Sequence, residues 1–114
     1  MHKIEYYMTP RGDCPFKLFL DGSNEKVKAK FFKLMTILAE QGQKLDRPYA
    51  AFLRDGIWEL RVVFAGNQYR ALYFFWDGNK IIVTHGIIKK SDKVPPGEID
   101  RALRYRAEYQ QHRK

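Results

Sequence analysis

Three runs in the middle of the chain, Ile57–Phe64, Tyr69–Trp76 and Ile81–Ile88, are rich in aromatic and β-branched residues and are separated by short turn signals. Such residues suit pleated, half-buried strands, and Gly66-Asn67 and Asp77-Gly78 are tight-turn dipeptides. The spacing predicts a three-stranded antiparallel meander, which must bury at least one of its faces.

The flanking sequence supplies elements to cover it. Lys3–Met8 alternates weakly and reads as a short strand at an edge, and Phe16–Leu20 is an apolar patch that suggests a helical turn. Ser23 or Asn24 can cap a helix over Glu25–Gln41, in which Val27, Phe31, Leu34, Met35 and Leu38 recur at helical spacing. Gly42 is a natural stop, and a loop through Pro48 precedes Tyr49–Leu53. Ser91–Gly97 reads as a loop whose two prolines lead into a helix over Glu98–Tyr109, with Ile99, Ala102, Leu103 and Ala107 on one face. A length of 114 residues leaves room for one domain. The expectation is a small single α+β domain over residues 1–114, with helices packed on a twisted antiparallel sheet.

Face arithmetic on the meander picks out candidate residues. Side chains alternate faces along a strand, and paired residues share a face. If Gly66-Asn67 and Asp77-Gly78 are two-residue loops, Val63 faces Arg70, Phe74 faces Ile81, and Arg70 faces His85. One face then collects Glu59, Arg61, Arg70, His85 and Lys89, interleaved with Val63, Leu72, Phe74, Ile81, Val83 and Ile87. A single-residue bulge would break this assignment. Charges set among large apolar groups on central strands are not a plain solvated face, so a shared anion-binding surface is expected. His85 taken alone reads as a partly buried, hydrogen-bonded histidine. Most of Trp58, Tyr69, Tyr73, Phe75 and Trp76 fall on the opposite face and read as core rather than as base-stacking platforms.

Composition agrees and excludes other classes. Twenty-one Lys and Arg against thirteen Asp and Glu give a net charge of +8 and a pI near 9.7, which points to a polyanionic partner. No apolar run approaches the roughly 20 residues that span a bilayer, and the N-terminal stretch lacks the apolar segment of a signal peptide. Cys14 is the lone cysteine, and His2, His85 and His112 lie far apart, so neither a disulfide, a metal nor a cofactor is expected. A cytosolic protein with no membrane partner is the simplest account.

The segment LRDGIWELRVVFAGNQYRALYFF, followed by IIVTHGIIKKSDKVPPGEIDRA, resembles the RelE/ParE toxin superfamily. The resemblance is closest to its HigB branch, often labelled phage-derived Gp49-like, and is carried by Phe52 to Ala107. It implies a cytoplasmic bacterial toxin of a type II toxin–antitoxin system, silenced by an antitoxin with a helix-turn-helix domain. Members of the RelE and HigB kind cut mRNA in the ribosomal A site without a metal, whereas ParE-like relatives inhibit gyrase on the same fold. Arg70 matches the family's catalytic arginine, and Arg61 falls where a basic residue stands on the preceding strand. Lys89 and Lys90 match the basic residues that end the last strand. The implied RNA surface is Arg61, Arg70, Lys89, Lys90 and Lys93. Glu59 stands where RelE has a lysine, so the general acid and base stay open among Glu59, His85, Lys89 and Lys90.

Overall fold

The computed structural model describes residues 1–89 and 93–112. Its elements are β1 (Lys3–Tyr6), α1 (Pro15–Asp21), α2 (Glu25–Gln41), β2 (Ala50–Arg54), β3 (Ile57–Phe64), β4 (Asn67–Trp76), β5 (Lys80–Lys89) and α3 (Pro96–Gln111). The five strands form one sheet in the order β1-β5-β4-β3-β2. The expected meander is its centre. The segment after Pro48 adds antiparallel β2 at one edge, and β1 pairs parallel with β5 at the other.

The helix boundaries follow from local chemistry. Asn24, not Ser23, caps α2: its side-chain oxygen accepts from the Lys26 N–H at 2.7 Å, while the Ser23 hydroxyl donates to the Phe19 carbonyl of α1. Gly42 ends α2 at φ +58°, and a Cβ there would run into the His2 ring. Val27, Phe31, Met35 and Leu38 are buried. With Phe16 and Leu20 of α1 they cover one face of the sheet, against Leu60, Val62, Tyr69, Tyr73, Ile81 and Val83. Gly86 brings β5 close to this layer, because a side chain there would occupy the place of the Phe19 ring.

The other face carries α3, whose Ile99, Ala102 and Tyr109 pack with Ile57, Leu72, Phe74 and Ile82. Ala107, expected on this stripe, is exposed, and Tyr109 takes the next inward position. Among the described residues no helix is long and apolar enough to cross a membrane.

The register differs from the simple expectation in two places. The β3–β4 turn is Ala65-Gly66, both at positive φ, rather than Gly66-Asn67. That shift moves each partner by two residues, so Arg61, not Val63, lies opposite Arg70, with all faces preserved. The β4–β5 loop has three residues, because Trp76 pairs with Lys80. An odd loop inverts the faces, so Ile81 and Val83 pack toward α1 and α2, and Ile82 takes the side shared with Phe74. Thr84 then bulges: Tyr73 pairs with Val83, but Leu72 pairs with His85. The Thr84 hydroxyl donates to the Leu72 carbonyl at 3.2 Å. The bulge restores His85, Ile87 and Lys89 to the Arg70 face.

Candidate functional site

Three rows of side chains run across β3, β4 and β5 on the face that α3 shares. They are Glu59–Leu72–His85, Arg61–Arg70–Ile87 and Val63–Gln68–Lys89. The expected set therefore does lie on one face, but its members divide into three environments.

Glu59, Arg61 and Arg70 form the centre. Arg70 has no exposed surface and Glu59 only 3%. The Arg70 Nε lies 2.8 Å from Glu59 Oε1, although the N–H is not directed at that oxygen, so this contact is an ion pair rather than an aligned hydrogen bond. Arg70 Nη2 donates to Gln68 Oε1, and Nη1 donates to the Tyr69 carbonyl at 3.4 Å. The other carboxylate oxygen of Glu59 faces Arg61 Nε at 3.9 Å, and the Arg61 side chain is 17% exposed. One carboxylate thus holds a buried guanidinium firmly and a partly exposed one loosely. Guanidinium suits this place because it stays charged and offers several directed donors.

A depression of about 330 Å³ opens beside this cluster, lined by Arg47, Leu53, Glu59, Arg61, Lys93 and Val94. Among the described residues its lining holds three cations and one carboxylate. Lys93, expected on the RNA surface, is at its rim. Lys89 stands one row further along, beside Gln68, and is largely buried. Lys90 lies outside the described residues.

His85 belongs to a different environment. It sits two strands from Glu59 in the same row, about 10 Å at ordinary strand spacing, with Leu72 between them. The ring is 2% exposed, packs edge-on to Tyr105 of α3, and has Nε2 3.1 Å from Glu98 Oε1 and Nδ1 3.0 Å from the Thr84 hydroxyl. The Glu98 carboxylate fixes the proton on Nε2, so Nδ1 and the Leu72 carbonyl share the single Thr84 hydroxyl proton. Burial lowers its pKa to about 4, with Arg101 acting in the same direction and Glu98 opposing. His85 is therefore a neutral, hydrogen-bonded packing residue at pH 7, as the residue taken alone suggested.

The depressed value has a consequence for stability. Below pH 6.5 the unfolded chain takes up a proton at His85 that the folded protein refuses until about pH 4. Stability from this group is complete above pH 6.5 and falls across that window, by roughly 3 kcal/mol at the acid end. His85→Gln should flatten the difference between urea midpoints measured at pH 7 and pH 4.5. An unchanged pH dependence would mean that His85 titrates normally.

Gln68, Arg47 and Glu98 escaped the sequence reading. Gln68 was within reach of it, being two residues before Arg70 and so on the same face by strand period. Arg47 reaches the depression from a loop and Glu98 reaches His85 from α3, and no local signal places either.

A family model described as phage derived protein Gp49-like (DUF891) matches residues 18–107, from α1 to most of α3. No curated protein matches the chain.

Proposed function

The chain belongs to the phage-derived Gp49-like family, a toxin-like family of toxin–antitoxin systems, and from this we propose that it is a type II toxin that cleaves mRNA in the ribosomal A site. Its partners are then a helix-turn-helix antitoxin, the ribosome and the message. The observation that carries the reading is the Glu59–Arg61–Arg70 cluster at a cationic depression.

In this reading the RNA supplies its own nucleophile. A base removes the proton of a 2′-OH, the 2′-oxygen attacks the adjacent phosphorus, and the P–O5′ bond breaks. The products are a 2′,3′-cyclic phosphate and a 5′-oxygen that takes up a proton. Arg61 binds a non-bridging oxygen, where negative charge grows as the fifth bond to phosphorus forms. Arg47 and Lys93 flank the phosphate. The Glu59 carboxylate, which lines the depression, accepts the 2′-OH proton, and an ammonium at Lys93 or Lys89 protonates the leaving oxygen. Arg70, buried beneath, is a positioning residue that holds Glu59 and fixes the direction of its other oxygen.

The test is to induce expression and map transcript ends. Cuts at codons of translated messages are expected, lost when initiation is blocked and lacking on naked RNA at the same protein concentration. Growth arrest with intact transcripts would overturn the nuclease reading in favour of a non-enzymatic inhibitor of a target such as gyrase. Binding to nucleic acid without arrest or cleavage would reduce the protein to a binding homologue.

A further inference from the structure

Arg61 also lines a second hollow. At the edge of the sheet, where β3 runs past the start of β2, a space of about 530 Å³ is lined by Lys30, Lys33, Tyr49 and Arg61, together with apolar side chains of α2 and β3 and with Pro48. Lys30 and Lys33 are exposed and, three residues apart on α2, share one face of the helix. Among the described residues no carboxylate lines this hollow. Arg61 is common to the two depressions, one of which also has Lys93 and Arg47 in its lining and the other Lys33 and Lys30.

Tyr49 gives this second hollow its character. The residue is 52% exposed, and among the described residues its ring stacks on no other aromatic. Its backbone is nonetheless fixed on both sides. The Tyr49 N–H donates to the Asp46 carbonyl at 3.0 Å, the Tyr49 carbonyl accepts from the Arg61 N–H at 2.8 Å, and the Ala50 N–H donates to the Asp46 carbonyl. A half-exposed ring on a pinned backbone, tied directly to Arg61, loses little freedom when a flat partner lies on it.

We propose that this hollow is a second nucleotide subsite, in which Tyr49 stacks on an RNA base beside the phosphate held by Arg61, and Lys30 and Lys33 hold the neighbouring phosphate. The inference rests on the reading of Arg61 as a phosphate ligand and extends it to the adjoining nucleotide. An acidic peptide would use the same cations, but it gives no role to the exposed ring. Base–aromatic stacking beside a cationic backbone track is how single strands are held without sequence readout.

The test is fluorescence anisotropy with a labelled 2′-O-methyl RNA hexamer, which cannot be cleaved by its own 2′-OH, and with an abasic hexamer of equal charge. The wild-type protein should bind the hexamer roughly five- to a hundredfold more tightly than the abasic strand. Tyr49→Ala should erase that ratio, and Tyr49→Phe should keep it. Lys30→Ala with Lys33→Ala should weaken both strands alike and lower the salt slope by about 1.4. Equal wild-type affinity for the two strands, or no affinity for either, overturns the subsite. Equal affinity that an acidic peptide abolishes would identify the hollow as a protein-binding surface. Failure of the nuclease reading would look different: uncut messages with the stacking ratio intact.

Discussion

Glu59→Ala is expected to destabilise the protein by about 3–5 kcal/mol, because it removes the carboxylate that lies 2.8 Å from the buried guanidinium of Arg70. Arg70 has no exposed surface and sits 2.8 Å from the carboxylate that would be lost. Against a total stability of about 5–15 kcal/mol for a domain, this is a large loss. It should appear as a lower urea midpoint with an unchanged slope. The double variant Glu59→Leu with Arg70→Met removes both charges and should recover most of it. A single variant within about 0.5 kcal/mol of wild type, the range of ordinary surface substitutions, would show that solvent reaches Arg70. Arg70→Ala is a poor probe of chemistry, since it takes the nearer of two cations from a buried carboxylate.

Arg61→Ala is the cleaner probe and should lower cleavage about 10²- to 10³-fold while leaving the fold intact. Its side chain is partly exposed and only loosely held by Glu59 at 3.9 Å, so its removal strands no buried charge. Single-turnover cleavage on programmed ribosomes, with urea midpoints measured alongside, separates the two effects. Arg61→Lys should recover part of the rate, since it keeps the charge and loses the fork. Lys89→Arg and Lys93→Arg keep the charge but cannot give up a proton. Whichever of them loses cleavage is the acid, and Arg61→Ala at wild-type rate would remove the phosphate role from this site.

Much of the fold was legible because its signals are local. Period-two alternation places Glu59 and Arg61 on one face whatever the neighbouring strand does. The spacing of Val27, Phe31, Met35 and Leu38 fixes the buried side of α2 in the same way. The assignment of His85 and Lys89 to the Arg70 face was correct for an incomplete reason. A three-residue loop at Asp77 and a bulge at Thr84 each invert β5, and their effects cancel beyond Thr84. Between them they do not cancel, which is why Ile81 and Val83 belong to the opposite core.

The meander, the α2 stripe and the shared face of Glu59, Arg61 and Arg70 follow from sequence because each rests on short-range periodicity and a tight turn, and the basic charge follows from composition alone. Depth and charge pairing come from long-range packing. It buried Arg70 under its own strand neighbours and separated His85 from the arginines by Leu72. It also brought Arg47 and Lys93 to the Arg61 depression from distant loops. Strand period says which way a side chain points, but solvent access and charge pairing depend on what the rest of the chain lays over it.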